Sequence, residues 1–146
     1  MSILPIFIPH AGCPHQCVFC NQKTISGQKL AAVAAAKEQL TRWRSWLRPS
    51  VANEAAFYGG SFTGLPLELQ EELLALTDEL LAEGFIGSVR LSTRPDYIDE
   101  ERLQLLQRHG VRLVELGVQS LDDKVLAATE RGHTAAQVVP AVALLK

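Results

Sequence analysis

Short apolar segments alternate with longer amphipathic segments along this chain, and this alternation constrains the fold more than any other feature. Strands are predicted at residues 3–8, 54–58, 88–93 and 112–118. Helices are predicted at 30–47, 66–83, 99–109 and from 120 to 128, with a last helix beginning at the capping pair Thr134 and Gln137. Four strand–helix units in series predict an α/β fold, with a parallel sheet and right-handed crossover connections.

Two prolines refine this prediction. Pro5 lies within the first predicted strand and has no N–H to donate to a neighbour, which favours a position at the edge of the sheet. Pro140 falls within the last predicted helix, where a proline removes a hydrogen bond and should produce a kink.

The fourth strand has two different faces, because successive side chains of a strand point in opposite directions. One face carries Leu113, Glu115, Gly117 and Gln119, and the other carries Val114, Leu116 and Val118. The apolar face should meet the helices, and the polar face suits the lumen of a barrel or half-barrel. Arg90 of the third strand could pair there with Glu115, which would offset the cost of burying either charge.

Composition and charge exclude several classes of protein. Of the 146 residues, 47% are hydrophobic and 21% are charged, which excludes disordered, collagen-like and coiled-coil chains. The formal net charge of −2 gives no general electrostatic reason to bind nucleic acid. The first residues do not resemble a signal peptide, and no apolar run approaches the ~20 residues of a membrane helix. We therefore expect a cytoplasmic protein with no membrane partner.

The three cysteines form the motif C-x3-C-x2-C, at Cys13, Cys17 and Cys20, directly after the first strand. This is the end of a strand at which α/β folds place active sites. Clustered cysteines in a reducing compartment usually bind metal or act in catalysis. Three thiolates can bind three irons of a cubane cluster and leave the fourth iron open. A zinc site completed by His10 or His15 is the alternative, and a ferredoxin-like carrier would need a fourth cysteine.

Further motifs follow the later strands. Phe19 precedes the last cysteine, FYGGSFTG follows the second strand, LSTRPDYID follows the third, and ELGVQS and RGHT follow the fourth. In this order the motifs resemble the radical S-adenosylmethionine (SAM) superfamily, over residues 5–146. The branch they resemble contains the Elongator catalytic subunit and, more distantly, oxygen-independent coproporphyrinogen III oxidases.

The resemblance implies a fold and a chemistry. The fold is a partial (β/α)6 barrel with the helices outside, of which about four β/α units are present. Residues 1–146 would then be a radical SAM core domain that is incomplete at its C-terminal end. The implied cofactors are a [4Fe-4S] cluster on Cys13, Cys17 and Cys20 and SAM on the open iron. One electron from a donor such as flavodoxin or ferredoxin cleaves SAM to methionine and a 5′-deoxyadenosyl radical, which abstracts hydrogen from a substrate.

The resemblance also assigns residues to SAM. The backbone near Phe19 would lie against the adenine, and the Gly59-Gly60-Ser61 segment would approach the methionine amino group. Gln119 would contact the ribose, and Arg131 would approach the methionine carboxylate. Thr93 and Arg94 would lie near SAM at the end of the third strand. His133 is interpreted as a structural residue.

Three functions remain open at this stage: a radical SAM enzyme, a zinc-binding structural module, and an incomplete piece that is inactive alone. Coproporphyrinogen oxidases usually carry an acidic residue where this chain has Arg94, which argues against porphyrin chemistry. The substrate is not readable from the sequence. RNA modification is a hypothesis at the level of the family only.

Overall fold

The computed structural model describes residues 2–8, 13–20 and 29–146, with side chains from residue 32 onward in the last segment. Four strands pair in parallel in the order β1-β2-β3-β4, so each strand lies beside its neighbour in the sequence. The strands are β1 (Ile3–Phe7), β2 (Glu54–Tyr58), β3 (Ser88–Thr93) and β4 (Val111–Leu116). Pro5 lies on β1, an edge of the described sheet, as the sequence predicts.

Helices follow the strands along the chain. They are α1 (Lys29–Trp46), α2 (Leu67–Ala82), α3 (Glu100–Arg108), α4 (Asp123–Ala128) and α5 (Val138–Leu144). Asp99 begins α3 as predicted, because its side chain accepts a hydrogen bond from the Arg102 N–H at 2.9 Å and so satisfies a free amide of the first turn. The predicted α/β fold of parallel strands with helices around them is confirmed.

One hydrophobic core lies between the sheet and the helices. In β1, Leu4 and Ile6 are fully buried, and the residues between them point to the opposite face. In β3, Val89 and Leu91 are buried in the same way. Helix α1 packs against β1 and α2, α2 packs against α3, and α3 packs against β4. This packing leaves the other face of the sheet, where the polar side chains point, as the lumen.

The lumen face carries an ion-pair network across three strands. Arg90 of β3 pairs with Glu54 of β2 at 3.2 Å and also with Glu115 of β4. The pair of Arg90 with Glu115 is the one that the strand alternation predicts. Two carboxylates on either side of one guanidinium offset the desolvation of the partly buried arginine.

The end of β4 differs from the prediction. The strand ends at Leu116 rather than Val118, and Gln119 has a φ of 69°. Strand alternation therefore does not determine the direction of the Gln119 side chain, and the prediction for Gln119 depends on the resemblance alone.

The predicted start of the fourth helix was also wrong. Helix α4 begins after Asp122, whose side chain accepts a hydrogen bond from the Lys124 N–H at 2.8 Å, and not at Ser120. Pro140 is the third residue of α5. It produces no lost hydrogen bond there, because the amides of a first turn have no partner within the helix. Among the helices that the structure describes, none is long and apolar enough to cross a membrane.

Candidate functional site

The cysteine loop follows β1 at its carboxyl end. Cys17 is buried, whereas Cys13 and Cys20 are half-buried. The Cys20 N–H donates to the Cys17 carbonyl at 2.9 Å, and the Val18 N–H donates to the Thr129 carbonyl at 3.2 Å. The second bond attaches the loop to the segment that follows α4, more than a hundred residues later in the chain. His10, the first alternative zinc ligand, lies outside the described residues.

Arg94 extends from the end of β3 toward the first cysteine of the loop. Its side chain is 3% exposed and forms a two-pronged ion pair with Asp96, with both N–O distances at 2.9 Å. Its Nη1 donates to the Arg131 carbonyl at 2.7 Å and lies 3.9 Å from the Cys13 Sγ. Burial alone would lower the pKa of Arg94, but the hydrogen bond and charge of Asp96 outweigh it and raise this pKa. Arg94 is therefore a fixed cation.

Arg131 approaches the second cysteine. It is 7% exposed, its Nη1 lies 3.7 Å from the Cys17 Sγ, and its Nη2 donates to the Gly117 carbonyl. Its Nε has no hydrogen-bond partner within the described part of the chain. A buried guanidinium beside a sulfur atom stabilises negative charge on that sulfur.

A cavity of about 260 Å³ lies above these groups at the carboxyl end of the sheet. Among its lining residues are all the positions that the resemblance assigns to SAM: Phe19, Gly59, Gly60, Ser61, Thr93, Arg94, Gln119 and Arg131. Cys13 and Cys20 also line it. Cys17 does not line the cavity, but it contacts Arg131, which does. Residues from five different parts of the chain thus meet at one place.

Hydroxyl groups hold the glycine-rich turn to β3. The Thr93 Oγ1 lies 2.9 Å from the Ser61 Oγ and 2.5 Å from the Thr63 Oγ1. All three residues are buried. The side chains of Ser61 and Thr93 are therefore engaged with each other, and what these positions offer to the cavity is mainly their backbone.

Phe19 and Gln119 differ from the other lining residues. Phe19 is 54% exposed, so it is not a core residue. Gln119 reaches the cavity from the turn after β4, where its positive φ places it beside Gly117.

Sequence analysis missed one residue of the site. Asp96, which fixes Arg94, lies in the quoted motif after β3, but its pairing depends on the tight turn Pro95–Tyr97. Ser92 and Gly117 also line the cavity, and strand alternation already places them on the same faces as Arg90 and Glu115.

His15, within the cysteine loop, and His133 border a second cavity, together with Gly132. Burial lowers the pKa of His133, and the charges of Arg131 and Arg94 lower it further. Burial and Arg94 also lower the pKa of His15. Both shifts favour the neutral form of the imidazole. Among the described residues, neither ring nitrogen of the buried His133 has a hydrogen-bond partner.

The candidate ligand side chains can be compared with the needs of the two metal groups considered above, a zinc ion and an iron–sulfur cluster. No three His, Cys, Asp or Glu side chains in the described segments converge on a point that could hold one ion. A tetrahedral zinc site needs such convergence, since all its ligands bind one atom. In a cubane cluster each thiolate binds a different iron. Three thiols in one loop have two buried guanidinium groups beside them, and this arrangement suits an anionic group bound at the thiols.

Comparison with known proteins gives the family. The profile described as Radical SAM superfamily matches residues 7–146. The chain belongs to the radical SAM superfamily. Its prediction as an enzyme is confirmed at the level of this family.

The chain is similar to proteins from archaea and yeast. An uncharacterized protein of Methanocaldococcus jannaschii is 29% identical over 90% of this chain and 44% of its own length. Elongator complex protein 3 of Saccharomyces cerevisiae is 31% identical over 64% of this chain and 20% of its own length. A tRNA uridine(34) acetyltransferase of Methanocaldococcus infernus is 39% identical over 38% of this chain and 10% of its own length. The chain thus spans less than half the length of these relatives.

A solved structure agrees with the fold. The structure of Methanocaldococcus infernus Elp3 with an N-terminal deletion superposes with a TM-score of 0.61 at 20% identity. The match covers 96% of this chain and 34% of that one. The predicted resemblance to the Elongator branch of the radical SAM superfamily is confirmed.

Proposed function

We propose that this radical SAM domain binds a [4Fe-4S] cluster on Cys13, Cys17 and Cys20 and binds SAM in the adjacent cavity. The observation that carries the proposal is the convergence of the assigned residues. All of them except Cys17 line the same cavity, and Cys17 lies directly behind it against Arg131. When bound, the cluster and SAM supply a one-electron cleavage of the SAM sulfonium bond, giving methionine and a 5′-deoxyadenosyl radical that takes hydrogen from a substrate.

The residues of the cavity would bind and orient SAM. The Gly59-Gly60-Ser61 turn offers backbone groups without large side chains, so the methionine part can approach the main chain closely. The exposed ring of Phe19 offers an apolar surface to the adenine at the mouth of the cavity. The Gln119 amide offers a donor and an acceptor to the ribose hydroxyls.

The two arginines bring positive charge to the same place. Arg131 lines the cavity, so its guanidinium group could approach the SAM carboxylate. Arg94 forms an ion pair with Asp96. It also donates a hydrogen bond to the Arg131 carbonyl, in the segment that contacts the cysteine loop. Both guanidinium groups are buried, and so is Cys17.

We propose RNA as the substrate class of the whole protein, with a small flavodoxin or ferredoxin as electron donor. The support for RNA is the name of one relative, a tRNA uridine(34) acetyltransferase. Incubation of the reduced protein with SAM and total tRNA, followed by nucleoside analysis by mass spectrometry, tests this. A new modified nucleoside is expected, and its absence with active SAM cleavage would direct the search to other substrates.

The cofactor proposal is tested by anaerobic reconstitution with iron and sulfide, followed by reduction with dithionite in the presence of SAM. We expect labile sulfide with about four irons per chain and formation of 5′-deoxyadenosine. Cys17→Ser should lose both. Thr41→Ser, an equally small change on the exposed face of α1, should retain both.

Two outcomes contradict this proposal. Bound zinc without labile sulfide would favour the structural module. An intact cluster that yields no 5′-deoxyadenosine would contradict the proposal that the domain cleaves SAM.

A further inference from the structure

We propose that Arg131 is a positioning residue for electron transfer, because its uncompensated positive charge beside Cys17 favours the reduced state of the cluster. This inference rests on the proposed function, namely that the three cysteines hold a [4Fe-4S] cluster. It differs from the role that the resemblance gives to Arg131, since it concerns the sulfur atom and not the SAM carboxylate.

The first observation is the contact itself. The Arg131 Nη1 lies 3.7 Å from the Cys17 Sγ, inside the protein, and the Gly117 carbonyl holds the other end of the guanidinium group. Both residues are buried. Charges interact more strongly in such a place than at the surface, because little water is present to screen them.

The second observation is the lack of a counter-ion. Arg131 forms no salt bridge within residues 2–8, 13–20 and 29–146. The remaining residues of the sequence include no Asp or Glu, so they cannot supply a carboxylate either. The positive charge of Arg131 therefore faces the cysteine loop without neutralisation.

Arg94 provides a contrast within the same site. Its Nη1 lies 3.9 Å from the Cys13 Sγ, nearly the same distance, but Asp96 neutralises it through two hydrogen bonds of 2.9 Å. The site thus has one neutralised and one free guanidinium, each beside a different cysteine. The Nη1 of Arg94 donates to the Arg131 carbonyl and so fixes the two relative to each other.

The electrostatic consequence has a definite sign. Reduction adds one electron to the cluster and makes it one unit more negative. A nearby uncompensated cation stabilises the reduced state more than the oxidised state, and net charge with hydrogen bonds to sulfur is known to set cluster potentials. Removing the charge of Arg131 should make reduction harder. Removing the charge of Asp96 should make reduction easier, because it leaves Arg94 uncompensated.

The test is an anaerobic redox titration of the reconstituted protein, with the cluster followed by electron paramagnetic resonance and dithionite as the reductant. For Arg131→Gln we expect the equilibrium constant for reduction to fall about tenfold, equivalent to about 59 mV for a one-electron couple. Arg131→Lys keeps the charge and should stay close to the unchanged protein. Asp96→Asn should shift the equilibrium several-fold in the opposite direction.

Matched controls separate this inference from the proposed function. Arg42→Gln removes a charge from the exposed side of α1 and should leave the potential unchanged. Failure of the unchanged protein to take up iron and sulfide would remove the proposed function. Normal uptake with equal potentials for Arg131→Gln and the unchanged protein would overturn the inference alone.

The inference remains testable if Arg131→Gln takes up no cluster. In that case the redox titration is made on Arg131→Lys and Asp96→Asn. A lowered potential for Arg131→Lys, or no increase for Asp96→Asn, would show that shape and not charge is what Arg131 contributes.

Discussion

Gly59 gives the sharpest prediction about stability, because its position allows no side chain. It follows β2 with a φ of +110°, a conformation that residues with a Cβ rarely adopt. A Cβ at this position would lie 2.4 Å from the Ile8 carbonyl oxygen and 2.7 Å from a ring carbon of Phe7. The first of these atoms is backbone, so it cannot turn away as a flexible side chain could. Gly59→Ala should therefore strain the turn and displace β1.

The magnitude follows from two contributions. A residue held in a sparsely populated backbone conformation costs about 1–3 kcal/mol. Overpacking of an occupied space costs about 1–3 kcal/mol more. We expect Gly59→Ala to lower the free energy of unfolding by roughly 4 kcal/mol, the middle of the two ranges combined.

Gly84 provides the matched control for Gly59. It also has a positive φ, of +66°, but among the described residues a Cβ there would approach only the Val51 Cγ1, at 3.9 Å. Gly84→Ala should therefore show the backbone cost alone, about 1–2 kcal/mol. Urea unfolding of the cluster-free protein under reducing conditions measures both variants. A loss for Gly59→Ala no larger than that for Gly84→Ala would refute the steric reasoning.

Three further predictions concern single side chains. Thr93→Val leaves the buried hydroxyl of Thr63 without its partner, and we expect the free energy of unfolding to fall by about 1–3 kcal/mol in urea titration. Asp99→Ala removes the N-cap of α3 and should lower the free energy of unfolding by about 1 kcal/mol, measured by the same urea titration. The lowered pKa of His133 means that the unfolded chain binds more protons below pH 6.5. Stability should therefore be fully present above that pH and fall as the pH decreases, and His133→Gln should make this dependence weaker.

The sheet could be predicted from the sequence because its signals are local. The bounds of β2 and β3 agree with the structure residue for residue, since each is a short apolar segment between turn-forming residues. The lumen pair of Arg90 with Glu115 also follows from alternation along two neighbouring strands. When neighbouring strands of a parallel sheet are consecutive in the sequence, alternation within each strand is enough to predict which side chains share a face.

Element ends were harder to predict, because neighbouring residues compete for the same role. Ser120 and Asp122 can each cap a helix. In the structure the Ser120 Oγ accepts from the Asp122 N–H at 3.0 Å, and Asp122 caps α4. Gln119 reaches the cavity because of a positive φ that no periodic pattern can indicate.

The arrangement of charges around the cysteines could not be derived from the residues alone. Apart from the resemblance, nothing in the sequence indicates that Arg131 is buried. It is buried because the segment after α4 packs against the cysteine loop. The neutralisation of Arg94 by Asp96 depends in the same way on a turn of three residues. Long-range packing therefore decides which cation is free and which is paired.

The central claim is that three cysteines hold a cluster whose open iron binds SAM. Electron paramagnetic resonance of the anaerobically reconstituted and reduced protein tests it most directly, with spectra recorded before and after addition of SAM. We expect the signal of a reduced [4Fe-4S] cluster, and a change of that signal when SAM binds to the open iron. A cluster signal that SAM leaves unchanged at saturating concentration would contradict the account.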